Sequence, residues 1–436
     1  MQLKIIIFFF ISLISFDQTR GQTINELIEL HYANLQELYQ QRSASPYWTI
    51  NGKVGKEELI NKLANYNSEV GILIYSYVNG ILSINILGKK GLIASEKIKI
   101  SKDSLINQID KANKYFSIST IERAPKMRGV VSLNTGNKNS FQESYKNLKN
   151  ILFPFKQEIL HELSHLIIVP IFNISTLPFS ALSLSDNKYL IDYLSYSIAP
   201  SLFEVMVSGE MNKNRVGYHP IEIKYSFDNA LFIANPKYPS GTNWTFPDLP
   251  GANKEVDYIT GSYYNQTDYV KLEGQNATLT NTLKDICQYD ILYFATHGIA
   301  SSKNPLEESF LVLADDKDGS FLTAKTIQEI GNRCRLNSDL VILSACQTGL
   351  GKVHEAGMIG LPRAFQISGA NHILMSLWNI SDSETAILMG FFFDYLKAGG
   401  EMMPHEALRQ SILKYRTEIS DNPNYWAAFS IFGIPY

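Results

Sequence analysis

The sequence predicts an α/β fold: a mostly parallel sheet flanked by helices on both faces, preceded by a smaller N-terminal α+β region. Three observations lead there. Ile291-Leu-Tyr-Phe-Ala-Thr-His297-Gly298 and Leu340-Val-Ile-Leu-Ser-Ala-Cys346-Gln-Thr-Gly349 are apolar runs of strand length that each stop at a reactive side chain, as buried parallel strands do. From about residue 166 onward such runs alternate with segments of helical period, the order that builds a parallel sheet covered on both faces. Asn79-Gly80 separates two further apolar runs, and Asn-Gly is the strongest short hairpin signal.

Taken in order, residues 24–42 show helical spacing of Leu, Ile and Tyr, and the hairpin takes 70–77 and 81–87 as its strands. A lysine-rich helical stretch occupies 103–115, and the polar segment 131–141 is a loop that marks a boundary. A helix from 142 to about 164 then leads into the strand-like Leu166-Ile-Ile-Val-Pro170. Further strands are expected at 166–169, 230–234, 291–296, 310–313, 340–345, 372–377 and 428–432. Helices are expected at 253–264, 278–288, 324–331, 356–368, 382–398 and 403–418. The resulting division is a leader at 1–21, a helix plus hairpin and helix region at 22–141, and the main domain at 142–436.

With 436 residues, 45% hydrophobic and 12% aromatic, the chain can bury a large core. A formal charge of −3 and no long basic run exclude a broad electrostatic nucleic-acid surface. Met1-Gln-Leu-Lys4, the apolar Ile5 to Phe16 and Thr19-Arg20-Gly21 read as a signal peptide, too short to span a bilayer. An exported protein without stable membrane insertion is therefore expected. The three cysteines are Cys287, Cys334 and Cys346, too few for a disulfide scaffold and odd in number, so at least one thiol stays unpaired. Cys346 is the one expected to be free. Cys287 and Cys334 each precede a predicted strand, which sets them on the sheet edge opposite His297 and Cys346, either bridged or as two buried thiols. A histidine and a cysteine at two strand tips can meet as base and nucleophile of a cysteine hydrolase.

Further motifs occur in a set order: Leu177-Pro-Phe-Ser-Ala-Leu182, Tyr189-Leu-Ile-Asp192, Ile233-Ala-Asn-Pro236, Leu249-Pro-Gly-Ala252 with Lys254-Glu-Val256, Ala295-Thr-His-Gly298, Leu322-Thr-Ala324, Leu343-Ser-Ala-Cys-Gln-Thr-Gly349, Gly360-Leu-Pro-Arg-Ala-Phe365, Ser376-Leu-Trp378 and Tyr425-Trp-Ala-Ala-Phe429. In this order the chain resembles CHAT domains, the caspase-like and separase-like cysteine peptidases often attached to helical repeats. The resemblance covers about 145–436, and the region 70–115 is similar to the segment that commonly precedes the domain. It implies a caspase-like fold, a protein or peptide substrate, no cofactor, and a dyad of His297 and Cys346. It also implies oxyanion donation by the backbone N–H groups of Gly298 and Cys346. Asp382 matches the position where the separase branch receives a basic P1 side chain, although Ser381-Asp-Ser-Glu384 also reads as a capping box opening the helix 382–398. Asp315, Asp316 and Asp318 are a further acidic group, simplest as a turn. Gln347 stands where the family usually has Glu, and the accompanying helical repeats are missing.

Two other functions compete. A silent CHAT scaffold would keep the fold as an interaction module. His161-Glu-Leu-Ser-His165 fits the H-E-x-x-H of zinc peptidases, which requires both imidazoles on one face of a continuous helix. Pro170 and the β-branched Ile167-Ile-Val169 argue that no such helix continues, so no metal site is assigned. His219, His354, His372 and His405 lack partners at metal spacing and read as structural.

Overall fold

The computed structural model describes residues 26, 56–64, 66, 68–115, 148–185, 188–202, 205, 225–301, 303–344, 352–354, 357–378, 380, 382–398 and 402–435. The predicted leader, nearly all of the 24–42 helix and the 131–141 loop lie outside the described residues.

Eleven strands form one sheet. They are β1 (Val70–Val78), β2 (Ile81–Gly88), β3 (Gly91–Lys99), β4 (His165–Val169), β5 (Ser195–Ile198), β6 (Ala230–Pro236), β7 (Tyr269–Gly274) and β8 (Ile291–Ala295). After β9 (Gly298–Ile299), β10 (Phe310–Val312) and β11 (Phe321–Thr323), which form a separate small sheet, come β12 (Leu340–Leu343), β13 (His372–Ser376) and β14 (Phe429–Gly433). The order across the main sheet is β3-β2-β1-β4-β5-β14-β13-β12-β8-β6-β7. Pairing is parallel except for β1 with β2, β2 with β3, and β13 with β14. The sheet is thus mostly parallel, as expected, but its strand direction reverses at the β13–β14 seam.

β8, β12 and β13 are buried at every position. Their apolar runs, Ile291–Ala295, Leu340–Leu343 and Ile373–Met375, suit strands covered on both faces, and in β13 the flanking His372 and Ser376 are buried as well. The covering helices are α1 (Lys56–Ala64), α2 (Lys102–Tyr115), α3 (Pro250–Tyr263), α4 (Leu279–Lys284), α5 (Ala324–Arg333), α6 (Leu361–Ser368), α7 (Asp382–Ala398) and α8 (Pro404–Glu418). The main core runs continuously from Leu73 and Tyr75 of β1 to Phe432 of β14. A smaller cluster under α1 joins Leu59 and Leu63 to Ile72 and Ile74. The 70–99 strands therefore extend the main sheet rather than forming a sheet of their own.

Several expectations are corrected. In the described part of the expected 142–164 helix, residues 148–152 are helical and a separate 3-10 helix follows at Gln157–Glu162. Pro154 divides them, because a proline disfavours helical backbone in the residue before it and lacks an N–H. The strand at 310–313 is real but pairs antiparallel in the small sheet. The helix expected at 356–368 begins at Leu361, and residues 352–354 and 357–359 pair as a hairpin instead. Gly360 at φ 152°, ahead of Pro362, makes the turn into α6.

Candidate functional site

β8 and β12 are parallel neighbours in register, with Phe294 opposite Leu343. Both release the chain at the same edge of the sheet. On the β8 side the exit is held by the small sheet. The Val312 N–H donates to the His297 carbonyl at 2.9 Å, and the Thr296 hydroxyl donates to the Val312 carbonyl at 2.5 Å. Gly298 lies opposite Leu311. Because the bond falls from residue 312 to residue 297, Gly298 and Leu311 are a pair that exchanges no hydrogen bonds, so the Gly298 N–H turns away from β10.

His297 is 5% exposed. Its ring sits between Tyr238 and Phe246, with centroids 4.6 and 5.4 Å away. Nε2 lies 2.8 Å from the Pro247 carbonyl oxygen. A carbonyl only accepts, so Nε2 carries the proton, and in the neutral imidazole the lone pair is on Nδ1. The residues that hold the ring come from the loop between β6 and α3, pinned at both ends. The Leu249 N–H donates to Asn235 Oδ1 at 2.7 Å, and the Lys237 N–H to the Gly274 carbonyl at 2.8 Å. Asn235 takes φ 40°, a left-handed conformation that asparagine tolerates better than most residues. Sequence reasoning missed Tyr238, Phe246 and Pro247. Only their bracketing by Asn235-Pro236 and Leu249-Pro-Gly could have flagged the loop.

From the helix side, Glu255 of α3 is buried at 1% exposure. Its Oε1 accepts hydrogen bonds from the Tyr293 hydroxyl of β8 at 2.6 Å and from the Ser344 hydroxyl just beyond β12 at 2.8 Å. A buried carboxylate thus ties the two strands together beneath their exits.

Cys346 and Gln347 lie outside the described residues; the described chain beyond β12 ends at Ser344. Asp382 is the first residue of α7, on the chain that leaves β13. Asp316 accepts the Thr280 N–H at 2.9 Å and the Asp318 N–H at 2.8 Å, while Thr280 donates to Asp318 at 2.7 Å. These bonds hold the Asp316 carboxyl down at about 2 despite the opposing cost of desolvation, and the acidic group is a turn. At the far edge of the sheet, Cys287 and Cys334 form a disulfide with Cα atoms 6.2 Å apart, which resolves the two alternatives left open by the sequence.

The zinc motif does not assemble. His161 lies in the 3-10 helix, exposed and stacked on Tyr193 at 5.9 Å. His165 opens β4, where Nδ1 and Nε2 are each 3.0 Å from the hydroxyls of Ser195 and Ser197. With no helix between them, the two rings do not share a face. Among the described residues, no three His, Cys, Asp or Glu side chains converge as a metal site. Among them too, no helix is long and apolar enough to cross a membrane.

The CHAT domain model matches residues 142–434. Human Tetratricopeptide repeat protein 28 is 26% identical over 294 residues, covering 59% of this chain, and the mouse protein is 25% identical over 292. The chain spans 11% of the length of these relatives. The Saccharomyces cerevisiae separase–securin complex is similar at TM-score 0.55 and 12% identity, over 87% of this chain and 30% of that one. The Arg-specific cysteine proteinase gingipain R gives TM-score 0.42 at 14% identity, over 68% of this chain and 67% of that one. With its family model matched across the main domain and a separase-like sheet beneath His297, the chain belongs to the CHAT domain family and has a caspase-like α/β fold.

Proposed function

We propose that the chain is an exported cysteine endopeptidase with His297 as base and Cys346 as nucleophile. The observation that carries this reading is the strand register. His297 follows Phe294 by three residues, Cys346 follows Leu343 by three, and Phe294 and Leu343 are partners on adjacent parallel strands, about 4.8 Å apart in any sheet. A thiol of pKa about 8.5 is only slightly ionised at neutral pH. His297, protonated on Nε2 by its bond to Pro247, offers Nδ1 to take the thiol proton.

The thiolate attacks the scissile carbonyl carbon, and the negative charge that forms on its oxygen is received by the N–H groups of Gly298 and Cys346. The imidazolium returns its proton to the leaving amine as the C–N bond breaks, leaving a thioester on Cys346. Water, deprotonated by the same imidazole, then attacks the thioester. The sulfur leaves and takes back the proton, and the carboxylic acid is released. Asp382, at the start of α7, is the proposed partner of an Arg or Lys P1 side chain. Export rests on the leader pattern at 1–21 and is supported by the Cys287–Cys334 bridge, since such bonds persist in oxidising compartments.

The test uses protein starting near Gln22, treated with an arginine- or lysine-directed acyloxymethyl ketone and mapped by mass spectrometry. Labelling should fall on Cys346 and vanish in His297→Ala and Cys346→Ala. A folded protein that neither labels with this probe or a broad thiol probe nor cleaves a peptide library would be a scaffold, and the reading would be abandoned.

A further inference from the structure

We propose that Glu255 is a positioning residue for the His297–Cys346 pair, an inference that rests on the peptidase reading. The side chain lies on the core face of α3, whose other buried residues there include Ala252, Val256 and Ile259. An ionisable group on such a face is costly unless it is hydrogen-bonded. Two of its bonds lie at the seam of the site. Oε1 alone receives Tyr293, four residues before His297, and Ser344, two residues before Cys346. Tyr293 is fixed in turn, its ring packed 5.5 Å from Phe232 and 6.1 Å from Phe393. Glu255 therefore references the chain at Ser344 to a rigid strand, and through it sets the spacing between base and nucleophile.

The backbone ladder between β8 and β12 has its last partners at Phe294 and Leu343. Beyond that point Ser344 is held to the β8 side through Glu255. Removing that tie loosens Ser344, two residues before Cys346. A misplacement of about 1 Å between reacting groups lowers a rate by about a hundredfold.

Two readouts test this on the mature chain carrying Glu255→Ala, Glu255→Gln or Ser344→Ala. One is the pH dependence of Cys346 alkylation by iodoacetamide together with kcat and KM on the best peptide substrate. The other is amide hydrogen exchange across 338–348, which needs no activity. Near-UV circular dichroism confirms folding. Glu255→Ala should lower kcat about a hundredfold with little change in KM, move the alkylation profile toward that of an ordinary thiol, and speed exchange in the segment. Glu255→Gln keeps an oxygen that accepts both hydroxyls, so it should recover most of kcat and the exchange rates of the parent. Ser344→Ala should act in the same direction and add little to Glu255→Ala. Wild-type kcat, profile and exchange in Glu255→Ala would overturn the inference, as would a glutamine variant no better than alanine. If the parent protein itself shows an ordinary thiol profile and no hydrolysis, the peptidase reading is what has failed. The tie is then judged by exchange alone, and unchanged exchange in Glu255→Ala overturns it.

Discussion

Replacing both Cys287 and Cys334 by serine should remove about 4 kcal/mol of stability. The bridge joins residues 47 apart in sequence, and a closed loop of that length restricts the unfolded chain by ~4 kcal/mol at 25 °C in the chain-entropy account. Little else is lost with it. Cys334 is exposed and Cys287 half-buried, so serine substitution removes almost no core packing. For a chain of this size the urea midpoint should fall on the order of 1 M. The assay is urea unfolding of the parent and the double variant, beside thiol counting by intact mass with and without reductant. The parent should show one alkylatable thiol before reduction and three after. Three thiols without reduction, or equal urea midpoints, would refute the reasoning and remove the support it lends to an oxidising compartment.

Acid should destabilise the fold well above the carboxylate range. Burial holds His165 down to about 3, His372 to about 4 and His405 well below its ordinary value. The folded state therefore refuses protons that unfolded histidines of pKa about 6.5 accept, and stability is complete above that pH and falls as pH drops through the window toward 4 and below. Each group contributes about 1.4 kcal/mol per pH unit, so denaturation at pH 7.5 and 5.0 should differ by about 4–6 kcal/mol; equal midpoints would contradict this. Arg416→Met should cost about 3–5 kcal/mol, read by thermal or urea unfolding. Arg416 pairs with Asp192 at 2.7 Å and Asp421 at 3.0 Å, and its guanidinium lies over Tyr189 and Trp426. A loss below 1 kcal/mol would mean that the unpaired Asp192 finds water, against its 12% side-chain exposure.

What the sequence made legible follows burial. β8, β12 and β13 are built on apolar runs buried at every position, and each lies within two residues of its predicted ends. β7 was missed because it is an edge strand, Tyr-Val-Lys-Leu-Glu-Gly, where Lys271 and Glu273 interrupt the apolar run and pair with each other. β5 was missed for the opposite reason: its serines are buried but serve the His165 ring, and the alternation in Ser-Tyr-Ser-Ile is only four residues long. The reversal at β14 was unreadable, since an apolar strand looks the same in either direction. At the site, His297 announced itself at a strand end. The groups that orient it did not, because Pro247 acts through a backbone carbonyl and Tyr238 and Phe246 come from a loop with no period. Glu255 stood in the sequence only as part of the Lys254-Glu-Val256 motif, with no role attached, and only packing reveals that it faces inward. The zinc motif failed on its helix, as Pro170 and the β-branched run had indicated.

The reversal at β14 also governs the order in which the molecule can be assembled. β14 lies between β5 and β13, and the bond from Tyr196 to Ser430 closes a separation of 234 residues. During synthesis, β1 to β5 and the block from β6 to β13 each wait with an open edge until β14 emerges to join them. Unpaired edges invite wrong partners, and contacts this distant in sequence form slowly. Truncation ahead of residue 429 would leave two half-sheets, each with an aggregation-prone border where the native molecule has its joint.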